Sequence, residues 1–356
     1  MGIARRRPQP PDPSAPDSDV RRDQRRTARW SSHRSARAGA EAARTTRPDD
    51  PRAAPSDDRT IGEVVRIVGR QVDVQLGDGS APVRATLAGR VPYPPVVGDR
   101  VRVRPPRTEG GSALVEGVEP RSTVLIRAAE DVVGRPRPVV ANADVLVVVA
   151  SATDPPIRLP LIDRALVAAW AGGLEGALVV TKIDLDRAGE GRAAAALYEG
   201  LGFPVATVNL LEPGGAEPVR EIVAGRSSVL AGHSGVGKST LATALTGERL
   251  LAGEVNPVTG RGRQTTVTAR MLALSDPRGG RIVDTPGVRL FGVADIDPDE
   301  LAEAFPEIAA QAPECRFKDC LHRVGEGGCA VQAAEEAGEI AASRLRSYRE
   351  LLAALL

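Results

Sequence analysis

The stretch 232–239 has the residue types and spacing of a phosphate-binding loop. It reads Gly-His-Ser-Gly-Val-Gly-Lys-Ser and fits the pattern G-x-x-x-x-G-K-[ST]. In such a loop, backbone N–H groups point at phosphate oxygens, the lysine reaches the β- and γ-phosphates, and the final hydroxyl ligates Mg²⁺. The residues assigned to this phosphate site are Gly232, His233, Ser234, Gly235, Val236, Gly237, Lys238, Ser239 and Thr240.

The residues on either side of this loop predict the elements that would position it. The apolar run 227–231 predicts a short buried strand, and 240–246 predicts the opening of a helix. A helix N-terminus adds its positive dipole end to a phosphate site. A chance glycine-rich turn is the alternative, and the strand–loop–helix context argues against it.

Two further motifs would face the same phosphates. Asp284-x-x-Gly287 follows a predicted strand at 281–283, so its carboxylate would bind Mg²⁺ through water and the Gly287 N–H would face the γ-phosphate. Thr265 and Thr266 lie in the polar stretch 260–268. A threonine there would complete the Mg²⁺ shell in the presence of the γ-phosphate, as an order–disorder switch. The predicted Mg²⁺ ligands are therefore Ser239, Thr266 and Asp284.

A fourth motif is of the kind that reads a base. Thr181-Lys182-x-Asp184 resembles the guanine-reading element N-K-x-D. A carboxylate at Asp184 would accept from the guanine N1–H and from its exocyclic amine, whereas adenine presents a different edge. Each four-residue match is weak alone, but these motifs reinforce one another because each follows a predicted strand.

From residue 121 onward, buried strands alternate with helices. Strands are predicted at 143–151, 176–180 and 204–208, and a helix at 159–170. This alternation predicts a doubly wound α/β sheet with its ligand at the carboxyl ends of the strands. In an ordinary GTPase the N-K-x-D element comes last, whereas here the matching element comes first and D-x-x-G comes last. Joining the old termini and cutting the chain after D-x-x-G would give this order and leave the site intact.

Composition limits the class of protein. With 356 residues and 42% hydrophobic residues, the chain can form two or three domains with a sizeable core. A net charge of +1 excludes a global field for nucleic acid, and three cysteines argue against a disulfide scaffold. There is no apolar run of membrane-spanning length and no secretory signal, so a soluble cytoplasmic protein is expected.

The N-terminal part divides into a tail and a small β domain. Residues 1–57 are rich in Arg, Pro, Ser and Asp and are predicted to be disordered. Short β runs at 63–68, 71–76, 83–87 and 100–104, separated by turn signals, predict an OB-type barrel over 58–120. Such a barrel commonly binds oligonucleotides, and we expect contact with RNA. A module that docks protein alone is the alternative.

The three cysteines of the chain form a cluster with one histidine. Cys315-x4-Cys320-x-His322-x6-Cys329 provides three thiols and an imidazole, a set suited to one structural Zn²⁺. Buried or redox thiols are the alternative. Beyond the cluster, apolar residues recur at helical spacing over 333–356 and predict one closing amphipathic helix.

The permuted motif order, the barrel before it and the Cys/His cluster after it resemble the ribosome small-subunit biogenesis GTPases of the RsgA type. Further matches are the segments Pro120-Arg121-Ser122, Ala141-Asn142-Ala143-Asp144, Ile162-Asp163-Arg164 and Gly260-Arg261-Gly262-Arg263. The resemblance covers about residues 60–356. It implies hydrolysis of GTP to GDP and phosphate, slow alone and faster on the 30S subunit, during late 30S maturation. The implied partners are the 30S subunit with its 16S rRNA, and the implied cofactors are Mg²⁺ with GTP and one structural Zn²⁺.

The last zinc-ligand spacer is one residue longer than the x5 of the family pattern, and the base-contacting loop after Val208 has no clear Ser-Ala pair. The chain also departs from the pattern at three single positions. Thr181 replaces the usual Asn, a change expected to weaken guanine affinity and to keep selectivity because Asp184 remains. Gln264 stands where the family generally has His, and we expect it to orient the attacking water beside Lys238 and Thr266. Val288 follows Gly287, so the usual position after D-x-x-G carries no Gln, and slow intrinsic turnover is predicted.

The predicted organisation is a disordered tail (1–57), an OB-fold RNA-binding domain (58–120), a circularly permuted GTPase domain (121–298) and a helical zinc domain (299–356). Because 288–297 runs from D-x-x-G into the zinc domain, the nucleotide state is hypothesised to move that domain relative to the barrel. A monomer is expected. Two alternatives remain open: an RNA clamp for which hydrolysis is incidental, and a GTPase for a non-ribosomal target.

Overall fold

The computed structural model describes most of the chain from residue 60 onward. The described residues are 60–69, 71–77, 81–89, 91, 93–106, 112–127, 137–248, 269–284, 293 and 296–356. The predicted tail 1–57 lies outside them, as do Gln264, Thr265, Thr266 and Gly287. No helix in this part of the chain is long and apolar enough to cross a membrane.

The first five strands close into a small barrel. They are β1 (Thr60–Val68), β2 (Gln71–Gln75), β3 (Val83–Leu87), β4 (Arg100–Arg104) and β5 (Ala113–Val118). The strand order is β1-β2-β3-β5-β4, and β4 pairs back onto β1. Alternate residues such as Val72, Val74, Val101 and Val103 fill the interior, as the two-residue period of a strand requires. The predicted small β-barrel is confirmed, and it has five strands.

The following strands form a mainly parallel sheet. After a short hairpin of β6 (Val124–Arg127) and β7 (Arg137–Ala141) come β8 (Val145–Ser151), β9 (Glu175–Thr181), β10 (Val205–Val208), β11 (Ser227–Ala231), β12 (Arg270–Ala273) and β13 (Arg281–Asp284). The order is β10-β9-β8-β11-β13-β12, and β12 alone of these six is antiparallel to its neighbour. Every residue of β8 is buried, in agreement with its Val-rich sequence.

Helices cover both faces of this sheet. They are α1 (Leu159–Ala171), α2 (Glu190–Gly200), α3 (Glu217–Val223) and α4 (Lys238–Thr246), with a 3₁₀ turn at Ile183–Leu185. One apolar core joins α1 and α2 to the sheet, and a second joins α3 and α4 to its other face. The predicted α/β architecture is therefore present, with strands and helices within a few residues of the predicted positions.

The C-terminal segment packs on the α1 side of the sheet. It contains 3₁₀ turns at Pro298–Ala304 and Ala312–Glu314 and the helices α5 (Pro306–Gln311), α6 (Ala330–Glu336) and α7 (Ala342–Leu355). The predicted closing helix is present as α7, but the prediction that it extends from residue 333 is wrong, because 330–336 form the separate helix α6. Gly338 has φ +77, a left-handed conformation that ends α6 and that glycine adopts without steric cost.

Two polar contacts fix the barrel to the sheet. The buried guanidinium of Arg121 donates to both oxygens of Asp99 at 2.7 and 2.8 Å. The Asn142 side chain donates to the Gly98 carbonyl and accepts from the Ser122 N–H, each at 2.8 Å. These contacts give a structural role to two of the sequence segments that matched the family.

A strand pair makes a second connection. In β12, Arg270 pairs with Arg66 of β1, so the barrel and the parallel sheet are continuous through these two strands. Glu63 of β1 also forms an ion pair with Arg281 of β13. The strand that follows the predicted switch threonines is therefore in direct contact with the barrel.

Candidate nucleotide and metal sites

The topology brings the predicted nucleotide motifs to one edge of the sheet. Because β8, β9, β10, β11 and β13 are parallel, their carboxyl ends lie on the same side. Thr181 ends β9, Gly232 follows β11, and Asp284 ends β13. Since neighbouring strands are about 4.8 Å apart, β9, which ends in the base-reading motif, lies about 10 Å from β11, which leads into the phosphate loop, with β8 between them.

The phosphate loop is held by close backbone contacts that glycine permits. Gly232 has φ +147, and a Cβ added there would lie 2.2 Å from the Val149 carbonyl oxygen of β8. Gly237 has φ +93 and is the N-cap residue of α4. The Lys238 ammonium donates to the carbonyls of Gly232 and His233 at 2.7 and 2.6 Å, so it folds back over the loop.

A cation, Lys238, and a carboxylate, Asp284, lie close together beside the phosphate loop. This pairing suits a site that binds an anion together with a divalent cation. Burial lowers the pKa of Lys238, and the negative charge of Asp284 opposes this change. Burial likewise raises the pKa of Asp284, and the cations Arg270 and Lys238 oppose that rise. A carboxylate at the end of β13 and the Ser239 hydroxyl in the first turn of α4 are oxygen ligands of the kind that Mg²⁺ prefers.

The base-reading motif adopts a tight turn after β9. Lys182 has a left-handed backbone, with φ +55, and its ammonium donates to the carbonyl of Asp154. The turn leaves the Asp184 side chain exposed and accessible to a ligand. Thr181 is directed differently: it is 1% exposed, and its hydroxyl lies 2.7 Å from the carbonyl oxygen of Val236 in the phosphate loop.

Two loops to which no site residue was assigned from the sequence also border the site. Pro155, in the loop after β8, lies 3.6 Å from the position that a Cβ on Gly235 would occupy. Leu210, in the loop after β10, lies 3.7 Å from the corresponding position on Gly237. The sequence carries no motif at either loop. Their position after parallel strands is the one signal that could have located them.

The predicted zinc ligands converge. The Sγ atoms of Cys315, Cys320 and Cys329 lie 3.6, 3.5 and 3.5 Å from Nδ1 of His322, and all four atoms lie within 4.8 Å of one another. In a tetrahedral site with Zn–S of about 2.3 Å and Zn–N of about 2.0–2.1 Å, sulfur and nitrogen are about 3.5 Å apart. The four side chains therefore have the spacing of a closed Cys₃His metal site.

Surrounding groups orient this cluster. The backbone N–H of Ala330 donates to Cys315 Sγ at 3.3 Å. From α7, the Tyr348 hydroxyl donates to the Leu321 carbonyl at 3.1 Å, and Arg349 Nε donates to the His322 carbonyl at 2.9 Å. The ligand loop is thus attached to α7, which itself packs against α1.

Comparison with known proteins decides the family. Residues 118–294 match the family model described as RsgA GTPase. The small ribosomal subunit biogenesis GTPase RsgA of Chlorobaculum tepidum is 40% identical over 306 residues, which are 83% of this chain and 97% of that protein. The protein of the same name from Alcanivorax borkumensis is 36% identical over 83% of this chain and 84% of its own length.

The chain belongs to the RsgA family. It is therefore a GTP hydrolase, as the resemblance implied.

Two solved structures support the RsgA assignment. YjeQ from Thermotoga maritima superposes with a TM-score of 0.65 at 33% identity, over 83% of this chain and 98% of that one. YloQ, described as a circularly permuted GTPase, gives a TM-score of 0.64 at 25% identity, over 85% of this chain and 98% of that one. The circular permutation predicted from the motif order is confirmed.

Proposed function

We propose that this RsgA-family GTPase binds and hydrolyses GTP while it acts on the small ribosomal subunit late in its maturation. The gathering of three motifs at one edge of a permuted sheet supports the nucleotide site, and the names of its relatives support the ribosomal target. The proposed location is the cytoplasm, where that subunit is assembled. The proposed form is a monomer.

The nucleotide would lie across the carboxyl ends of β9, β11 and β13. Backbone N–H groups of 232–240 would hold the phosphates, and the exposed carboxylate of Asp184 would read the guanine edge. Lys182 would lie against one face of the base, because its ammonium is already held by the Asp154 carbonyl. Guanine selectivity would therefore depend on Asp184.

Hydrolysis would depend on charge neutralisation at the γ-phosphate. Lys238 would leave the carbonyls of Gly232 and His233 and move its ammonium onto the phosphate, exchanging two neutral acceptors for an anion. Mg²⁺, held by Ser239, Asp284 and Thr266, would supply further positive charge to the phosphates. Gln264 is proposed to orient the water, and the Gly287 N–H to contact the γ-phosphate. Gln264, Thr266 and Gly287 lie outside the described residues.

The barrel and the Cys/His cluster would serve the ribosomal target. Arg66 and Arg100 on the barrel exterior are exposed and would contact rRNA phosphates. The cluster would hold one structural Zn²⁺ in a helical C-terminal domain, because four protein ligands complete a tetrahedral shell and leave no open position for a substrate.

The testing experiment is GTP hydrolysis by the purified protein, alone and with 30S subunits. We expect slow turnover that the subunits accelerate. Equal rates with and without 30S subunits would contradict the ribosomal role and would direct the search to another target.

Three variants complete the design. Asp184→Asn is expected to transfer preference from GTP to XTP, because xanthine presents a carbonyl where guanine has its amine. Glu190→Gln, an exposed carboxylate on α2, is the matched control and is expected to keep GTP preference. A Lys238→Ala protein that still matures subunits at the normal rate would favour the RNA clamp.

A further inference from the structure

Thr181 occupies the position where the guanine-reading motif usually has Asn, and its surroundings differ from those of a base-contacting group. Its side chain is 1% exposed at the end of β9. The hydroxyl oxygen lies 2.7 Å from the Val236 carbonyl oxygen and 3.1 Å from that of Ala150. Since a hydroxyl donates one proton and both neighbours are acceptors, the shorter contact identifies Val236 as the acceptor.

The carbonyl that Thr181 holds determines the orientation of a phosphate-loop N–H. The Val236–Gly237 peptide is planar and trans, so its carbonyl and the Gly237 N–H point in opposite directions. Fixing the carbonyl toward β9 therefore directs the Gly237 N–H away from β9. Among the described residues, this N–H has no acceptor.

Packing keeps this peptide in place. The Thr181 methyl and hydroxyl groups each lie 3.7 Å from the position that a Cβ on Gly237 would occupy. Because Gly237 has φ +93, the peptide on its N-terminal side is held in a conformation that other residues rarely adopt. Without the hydrogen bond, the Val236 carbonyl would be a buried acceptor with no donor, and rotation of the peptide would relieve that cost.

We propose that Thr181 is a positioning residue for the phosphates and does not read the guanine base. Its hydroxyl holds the Val236–Gly237 peptide so that the Gly237 N–H faces the nucleotide phosphates. The base-reading turn and the phosphate loop are thereby joined through one hydrogen bond. This inference rests on the proposed nucleotide site.

The test measures binding of GDP and 7-deaza-GDP to Thr181→Val, which keeps the shape of Thr and lacks its hydroxyl. Thr181→Ser, which keeps the hydroxyl, is the matched control. A hydroxyl that contacted guanine would bind an acceptor such as N7, which 7-deaza-GDP lacks. We expect Thr181→Val to lose about tenfold in affinity for both nucleotides, equivalent to about 1.4 kcal/mol, and Thr181→Ser to lose less than about threefold.

A second readout separates a positioning role from a general structural one. The ³¹P resonance of the β-phosphate of bound GDP is expected to shift in Thr181→Val and to stay unchanged in Thr181→Ser. A loss seen with GDP and absent with 7-deaza-GDP would assign the hydroxyl to the base and overturn the inference. So would unchanged affinity together with an unchanged β-phosphate resonance.

The controls distinguish failure of this inference from failure of the proposed site. If the wild-type protein bound neither nucleotide, the proposed site itself would be wrong. If Thr181→Val did not fold, Thr181→Ala and Thr181→Ser would be compared in the same assays. Equal affinities and β-phosphate resonances in that pair would overturn the inference.

Discussion

Replacing Arg344 with methionine is expected to destabilise the attachment of the C-terminal helices by about 3–5 kcal/mol. The Arg344 side chain is 1% exposed and bonds to Asp163 on α1 and Glu307 on α5, which are 0% and 5% exposed. Its guanidinium also lies 4.5 Å from the ring centroid of Phe305. Methionine keeps much of the side-chain volume but removes the cation, so it leaves two carboxylates buried without their partner.

Protonation of one buried carboxylate accounts for a loss of stability of this size. Burial already raises the pKa of Asp163, and the Arg344 guanidinium opposes that rise. Without Arg344 the buried carboxyl of Asp163 would take up a proton. At pH 7 this protonation costs about 4 kcal/mol, because each pH unit above the unfolded-state pKa of about 3.9 costs about 1.4 kcal/mol. This cost agrees with the range measured when buried ion pairs are broken.

Protonation of this carboxyl also makes the stability of the variant depend on pH. In the variant, the folded state would bind a proton that the unfolded state has lost above about pH 4. Its stability relative to the wild-type protein is therefore expected to fall as the pH rises from about 4 to 7, by up to about 1.4 kcal/mol per unit. At about pH 4 the difference is expected to be smallest.

The assay is hydrogen exchange of the α7 amides, with urea unfolding followed by tryptophan fluorescence as a second probe. The comparison protein is Arg344→Met combined with Asp163→Asn and Glu307→Gln, which removes the buried charges together. It is expected to recover most of the lost stability. A single variant within about 1 kcal/mol of wild type at pH 7, or a triple variant no more stable than the single one, would refute the reasoning.

Three further predictions concern other contacts. Lys238→Ala is expected to reduce GTP hydrolysis at least about a hundredfold in a single-turnover assay, because the negative charge at the γ-phosphate loses its cation. The control is Lys318→Ala, which removes an exposed lysine of the C-terminal segment and is expected to keep the wild-type rate. A strong chelator is expected to release one Zn²⁺ per chain and to increase hydrogen exchange over 315–336. Purified protein that contains no zinc and is still fully protected from exchange over these residues would contradict the zinc site. Asp99→Asn is expected to cost about 3–5 kcal/mol and to make the barrel more sensitive to limited proteolysis, because Arg121 loses its buried partner. Arg84→Gln breaks a more exposed ion pair, with Asp73, and is expected to cost about 0–1 kcal/mol. Equal losses of stability in Arg84→Gln and Asp99→Asn would contradict the prediction for Asp99.

Much of the fold was predictable because local patterns encode it. The Val-rich run of β8 predicted a strand buried on both faces, and the short β run at 100–104 predicted the barrel strand β4. The misplaced start of the closing helix has a similar local explanation. The helical spacing of apolar residues continues through Gly338, and the left-handed turn at that glycine interrupts the helix without disturbing the spacing.

The chemistry of the candidate sites was predictable to the extent that a motif is continuous in sequence. The phosphate loop and the Cys/His cluster each lie within fifteen residues of chain, and their residue types limit the ligand to phosphate or metal. The sequence also determined the permuted order of the motifs. Those features depend on residue type and spacing, which the chain carries wherever it folds.

Tertiary structure alone decided which distant side chains meet. The Thr181 hydroxyl and the Val236 carbonyl are separated by 55 positions, and Arg344 and Asp163 by 181. No local pattern specifies such a partner, because the contact forms only when β9, β11 and the helices pack together. The sequence therefore determined what this protein can bind, and the packing of its sheet and helices decided how the binding groups are held.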